Sequence, residues 1–223
     1  MQKYDLVCFD MDGVLTKLRS SWYWVHQCLE VDSEANYKAY VNAEIDEMEF
    51  MRRDIKLWTD KYPDITINDI AKLFQDMPLI GGIQETVACL KENGIRSVII
   101  SGGIDKAALL IKNEFGFDDF AADEICTNPD GTLTGEGRLV VDLKDKGIKV
   151  REFIEKYGTT PERTVSIGNS FTDIPMFKVT GMSIAFNPTD HYTSDAATHT
   201  VVSENIADVL DYILVDDEGS EFS

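Results

Sequence analysis

Asp10 and Asp12 stand one residue apart at the end of an apolar run, in the segment Asp5-Leu-Val-Cys-Phe-Asp10-Met-Asp12-Gly-Val-Leu-Thr16. A carboxylate at the end of a buried strand can attack phosphorus and form an aspartyl-phosphate. A second carboxylate two positions on can exchange protons with the leaving group and with water. Gly13 lets the chain turn sharply behind them. An ordinary strand running into an Asp-Gly turn would leave the same residues, so the reading depends on what lies downstream.

Ligands of open parallel sheets sit beyond the carboxyl ends of the strands, which makes the residues at those ends candidates. The run Arg96-Ser-Val-Ile-Ile-Ser101-Gly-Gly103 ends in a hydroxyl followed by two glycines. Ser101 can bond a phosphate oxygen, Gly102 lets backbone N–H groups approach it, and a following helix N-terminus favours the anion; a plain turn would also use Ser-Gly-Gly. In Thr164-Val-Ser-Ile-Gly168-Asn169-Ser-Phe-Thr-Asp173 an oxygen donor again follows a strand, with a carboxylate four residues later. Oxygen-only donors suit a hard cation such as Mg2+, with Asp10, the Asp12 carbonyl, Asn169 and Asp173 acting directly or through water. Clustered carboxylates raise one another's pKa values, so a lysine is expected nearby. Lys146, at the start of a helical stretch, could serve, although it is also one of three closely spaced lysines with Lys144 and Lys149.

Short apolar runs at 6–9, 97–100, 164–167 and 183–186 alternate with stretches of helical period at 83–93, 105–115, 146–157, 172–179 and 205–214. This alternation predicts an α/β fold, a Rossmann-like parallel sheet with helices on both faces. Residues 17–77 break the pattern: they contain no strand signal but carry Trp22, Trp24, Val25, Leu29, Ile45, Met48, Met51, Ile55, Leu57 and Trp58. They are expected to form a small helical cap inserted after the first strand, with 1–16 and 78–215 as the core domain. The turn Asn128-Pro-Asp-Gly131, between two β-prone flanks, predicts a hairpin within 119–142. Residues 216–223 read as a flexible polar tail, and Gly219–Ser223 as a possible cloning remnant.

Composition narrows the partners. The chain has 223 residues, 21 basic against 40 acidic, for a net charge of −19. That balance disfavours nucleic acid or an anionic membrane surface as a partner, and an anionic substrate would need a local cation. Cys8, Cys28, Cys89 and Cys126 are scattered without a Cys-x-x-Cys pair, which predicts reduced, buried thiols. No apolar run reaches the ~18 residues of a membrane span, and Met1-Gln-Lys leads into a strand rather than a secretory signal. A cytoplasmic protein is expected, and the oligomeric state is left open.

Taken in order, Asp10-x-Asp12-Gly-Val-Leu-Thr, Ser101-Gly, Lys146 and Gly168-Asn169-Ser-x-x-Asp173 resemble the four motifs of the haloacid dehalogenase superfamily of aspartyl-phosphate-forming hydrolases. The helical insertion and the spacing from Lys146 to Asn169 resemble its phosphoserine-phosphatase-like branch, and the resemblance runs from Asp5 to about Leu214. It implies Asp10 as nucleophile, Asp12 as general acid/base, Ser101, Gly102 and Lys146 as phosphate holders, and Asp10, Asp12, Asn169 and Asp173 around Mg2+. It also implies a phosphatase of small phosphorylated metabolites rather than a dehalogenase, since dehalogenation needs no proton donor two residues after the nucleophile.

Two residues depart from that pattern. The family usually has aspartate where this chain has Asn169, and phosphoserine phosphatases usually hold the substrate ammonium with a glutamate that falls here near Arg19 or Ser20. Arg19 prefers a carboxylate or a second phosphate, and Arg52 or Arg53 could hold a substrate carboxylate. The three tryptophans read as cap core, and His26, His191 and His199 have no metal-ligand spacing. A phosphotransferase, and a catalytically weak metabolite-binding relative marked by Asn169, are the other readings.

Overall fold

A computed structural model describes residues 3–214. Seven strands form one sheet: β1 Leu6–Phe9, β2 Arg96–Ile104, β3 Asp119–Thr127, β4 Leu133–Arg138, β5 Thr164–Gly168, β6 Met182–Phe186 and β7 His199–Val201. Their order is β4-β3-β2-β1-β5-β6-β7, and every pairing is parallel except the β3–β4 hairpin. All four residues of β1 are buried, as a central strand covered on both faces requires. Alternation then splits them. Val7 and Phe9 join the larger apolar cluster, whereas Leu6 and Cys8 join the smaller one on the opposite face.

Four helices lie between β1 and the first helix of the sheet layer: α1 Ser21–Cys28, α2 Glu34–Val41, α3 Glu47–Lys61 and α4 Ile67–Leu73. Local chemistry starts three of them. Ser20 caps α1, Asp46 caps α3, and Thr66 with Asp69 forms a capping box on α4. The helices are not a separate body, because Met51, Ile55, Trp58, Ile70 and Phe74 share one apolar cluster with Phe9 and Ile104. They also dock on the hairpin: Ile67 N–H donates to the Gly131 carbonyl at 2.9 Å and Leu133 N–H to the Ile65 carbonyl at 3.0 Å. Met51 presses so closely on β4 that a Cβ at Gly137 would lie 2.1 Å from its sulfur.

The remaining helices are α5 Ile83–Glu92, α6 Asp105–Phe115, α7 Gly147–Tyr157, α8 Ile174–Phe177, α9 His191–Ala196 and α10 Leu210–Ile213. Where one helix was expected at 172–179, a 3-10 turn at Phe171–Asp173 precedes α8. Ser170 and Asp173 cap each other there, and Pro175 sits in the first turn of α8. The expected helix at 205–214 likewise opens with a 3-10 turn, Ile206–Val209. The three-residue edge strand β7 and the short α9 were not foreseen from the sequence pattern.

All four cysteines are free, but only Cys8 is fully buried, and Cys28, on the short cap helix α1, is exposed. The expectation of buried thiols therefore holds for Cys8, while Cys89 and Cys126 are partly buried and Cys28 is exposed. No helix among the described residues is long and apolar enough to cross a membrane. The tail expected at 216–223 lies outside the described residues.

Candidate active site

The carboxyl ends of β1, β2 and β5 are neighbours in the sheet, and the residues that follow them meet at one cavity of about 1110 Å³ between sheet and cap. Asp10, Asp12, Ser101, Gly102, Lys146 and Asn169 all line it. Lys146, the residue before α7, is buried and donates to Asp10 Oδ1 at 2.9 Å and to Asp173 Oδ1 at 2.7 Å. Its two neighbouring lysines go elsewhere: Lys144 is exposed and Lys149 pairs with Glu152 at 2.7 Å. Lys146 reaches the site because α7 begins hard against α8, where a Cβ at Gly147 would lie 2.7 Å from the Pro175 carbonyl oxygen.

The electrostatics of this triad are a contest. Burial raises the pKa of Asp10, and so does the negative charge of Asp173, while Lys146 pulls it down; the net direction is upward. Burial alone would lower Lys146, but the two carboxylates outweigh it and hold the ammonium charged. One oxygen of Asp10 is thus engaged by a permanent cation, and Oδ2 has no partner among the described residues.

Asp173 is fully buried and does not line the cavity. Besides Lys146, it accepts from Asn169 N–H at 2.9 Å and Ser170 N–H at 3.1 Å. It organises the loop after β5 and positions Lys146. Asn169 takes the forward position, its amide against the turn at Gly13. No cluster of three or more His, Cys, Asp or Glu side chains arranged to hold a metal occurs among the described residues. The expected metal-site residues that line the cavity, Asp10, Asp12 and Asn169, all carry oxygen donors, and oxygen is what a hard cation takes.

Asp12 is held from the cap. Ser21 donates to its Oδ2 through both backbone N–H, at 2.8 Å, and hydroxyl, at 2.9 Å. Burial raises the Asp12 pKa, and the Ser21 hydrogen bonds oppose that rise. Ser101 accepts from Gly103 N–H at 3.0 Å, and its hydroxyl proton has no acceptor among the described residues. Of the backbone donors expected to cradle a phosphate, two are already engaged: Gly103 N–H by Ser101, and Ile104 N–H by the Ser21 hydroxyl.

The three arginines separate. Arg19 lines the cavity at its exposed rim, with its guanidinium over the Tyr37 ring at 5.4 Å. Arg52 and Arg53 do not line it. Arg52 pairs with Glu49 and with Glu136 of β4, both at 2.9 Å, and Arg53 pairs with Glu49 at 2.8 Å. The helical phase of α3 turns Met51 and Asp54 inward, so its two arginines point to the hairpin and to solvent.

Sequence reasoning passed over several residues. Asp123 of β3 lines the cavity and accepts from Val140 and Val141 N–H at 2.7 and 3.0 Å, yet burial lifts its pKa to about 6. It lies in the middle of β3, at the last position paired with β2, where an inspection of strand ends does not reach. His26 belongs to a buried chain: Trp58 Nε1–H donates to its Nδ1 at 2.9 Å, leaving Nε2 to donate to Asp54 at 3.0 Å, and Asn36 donates to the other Asp54 oxygen at 2.9 Å. Trp22 stacks on Trp58 and donates its indole N–H to the Gly102 carbonyl at 3.0 Å. No local sequence signal announces that chain.

Comparison with known proteins agrees with this geometry. The family model for haloacid dehalogenase-like hydrolases matches residues 7–178. A phosphoserine phosphatase of Methanocaldococcus jannaschii is 28% identical over 188 residues, covering 83% of this chain and 86% of that protein. Phosphoserine phosphatase SerB2 of Mycobacterium tuberculosis is 32% identical over 153 residues, 67% of this chain. The chain spans 36% of the length of that relative and 41% of an Archaeoglobus fulgidus phosphoserine phosphatase. Among solved structures, a phospho-aspartyl intermediate analogue of phosphoserine phosphatase superposes with a TM-score of 0.78 at 25% identity, over 95% of this chain and 99% of that one. With the motif residues gathered at one cavity and the family model spanning most of its length, the chain belongs to the haloacid dehalogenase-like hydrolases.

Proposed function

We propose that the protein is a magnesium-dependent phosphatase that hydrolyses a small phosphomonoester through an aspartyl-phosphate on Asp10. The observation that carries this reading is the pairing of Asp10, one oxygen on Lys146 and the other open to the cavity, with Asp12 held two residues away. Asp10 attacks phosphorus, Lys146 and the Ser101 hydroxyl hold the phosphoryl oxygens, and Asp12 protonates the leaving oxygen. Water activated by Asp12 then releases phosphate. Asp10, the Asp12 carbonyl and Asn169 would hold Mg2+, with Asp173 behind them, and the ion would neutralise phosphoryl charge.

The relatives named for phosphoserine suggest the size of the substrate. The exposed rim around Arg19 and Tyr37 suggests a different preference within that class, toward esters that carry a second anionic group. The decisive assay is a panel of phosphorylated metabolites with and without Mg2+, run beside Asp10→Asn. Metal-dependent phosphate release that vanishes in the variant supports the proposal. Transfer of the phosphoryl group to an added alcohol in preference to water would make the protein a phosphotransferase, and no turnover of any ester would leave a binding protein.

A further inference from the structure

Asp12 has a partner that lies outside all four motifs. Ser21, the first residue of α1, is fully buried, and both its N–H and its hydroxyl donate to Asp12 Oδ2. The same hydroxyl accepts from Ile104 N–H at 3.0 Å, so its single proton is committed to Asp12 and a lone pair to the segment following Ser101. There is no slack around this contact: a Cβ at Gly103 would lie 2.4 Å from Ser21 Oγ and 2.8 Å from Asp12 Oδ2. The other carboxylate oxygen, Oδ1, is met among the described residues only by the Thr16 hydroxyl at 3.4 Å, which also lies 3.5 Å from the Met11 carbonyl. An oxygen that already receives two hydrogen bonds is a poor seat for a proton. A protonated Asp12 therefore carries its proton on Oδ1, with the Thr16 hydroxyl turned to Met11.

We propose that Ser21 is a positioning residue for proton transfer, holding Asp12 Oδ2 as an acceptor so that Oδ1 is the oxygen that protonates the leaving group. The proposal rests on the acid/base reading of Asp12 above. In the step concerned, an Asp10 carboxylate oxygen forms a bond to phosphorus while the ester P–O bond breaks. Its electron pair goes to the leaving oxygen, which takes the proton from Asp12 Oδ1 and leaves Asp12 ionised. In the second half, a water oxygen bonds to phosphorus, one of its protons passes to Asp12, and the acyl-phosphate O–P bond to Asp10 breaks with its electron pair returning to the Asp10 carboxylate.

The leaving group provides the test. kcat/KM reports the first transfer alone, and p-nitrophenolate departs without a proton whereas an alkoxide requires one. We expect Ser21→Ala to lower kcat/KM for glycerol phosphate at least about tenfold more than for p-nitrophenyl phosphate. Ser21→Cys, which keeps nearly the same volume but hydrogen-bonds weakly through sulfur, should move in the same direction and decides the question if the alanine variant does not fold. Equal losses on the two esters, or no loss, would overturn the proposal. Asp12→Asn separates the two levels. Selective loss of the alkyl ester in Asp12→Asn but not in the Ser21 variants removes Ser21 alone, whereas no selectivity in Asp12→Asn removes the acid/base reading and the proposal with it.

Discussion

The side-chain amide of Asn169 rests on the turn at Gly13, so close that a Cβ on Gly13 would fall 2.0 Å from Nδ2. Gly13 also has φ +82°, so backbone and neighbour both require glycine. This contact brings the end of β5 onto the turn that carries Asp10 and Asp12. Asn169→Asp adds a formal charge there and is expected to tighten Mg2+ binding by about 1–3 kcal/mol. Calorimetric titration checks this, and an unchanged affinity would remove Asn169 from the metal site. Gly13→Ala should cost about 1–3 kcal/mol from the left-handed backbone alone, and a denaturation midpoint equal to wild type would contradict it.

Asp10→Asn is expected to abolish turnover, and beryllium fluoride should attach to Asp10 in the wild-type protein. Substantial activity in that variant would falsify the covalent route. Lys146→Ala should be worse for stability than for a surface lysine, because it strands Asp10 and Asp173 together in a buried site. A loss of about 3–5 kcal/mol is expected for breaking a buried ion pair, read by urea denaturation at neutral pH.

Substrate preference should follow the rim. Arg19 lines the cavity, whereas Arg52 and Arg53 are engaged with Glu49 and Glu136 outside it. Phosphoglycolate or phosphoglycerate should therefore outcompete phosphoserine by roughly 100-fold in kcat/KM. Arg19→Ala should erase that preference, while Arg52→Ala and Arg53→Ala leave it intact. Phosphoserine as the preferred substrate, or an Arg19→Ala variant indistinguishable from wild type, would reverse the assignment.

Glu47, at the start of α3, lines the cavity with no hydrogen-bond partner among the described residues, and burial together with Asp123 and Asp142 raises its pKa to about 7. The folded state then binds more protons than the unfolded chain between the ordinary glutamate range and about pH 7. The contribution of Glu47 to stability must fall as pH rises through that window. Glu47→Gln is expected to raise the melting temperature relative to wild type at pH 8 and to leave it nearly unchanged at pH 4. The effect will be modest, because the side chain is only partly buried. A difference curve that is flat with pH, or that slopes the other way, would show that Glu47 titrates normally.

Much of the molecule is written locally in the chain. The four apolar residues of β1, their alternation between the two faces of the sheet, and the Asp-Gly turn beyond them follow from residue type and period two. So do the helical character of residues 17–77 and the hairpin turn at Asn128–Gly131, since caps, turns and amphipathic periods act over a few residues. Tertiary structure alone decided which of Lys144, Lys146 and Lys149 meets Asp10, because that depends on how α7 abuts α8. It also turned Arg52 and Arg53 away from the cavity, moved Asp173 behind Lys146, and put Ser21 on Asp12 and Trp22 on Gly102. The Trp22–Gly102 contact joins residues 80 positions apart, Lys146 reaches 136 positions back to Asp10, and the Ser21–Asp12 contact depends on how α1 settles onto β2. Spacing along the chain carries no record of such contacts; they exist only once the cap and the sheet share one core.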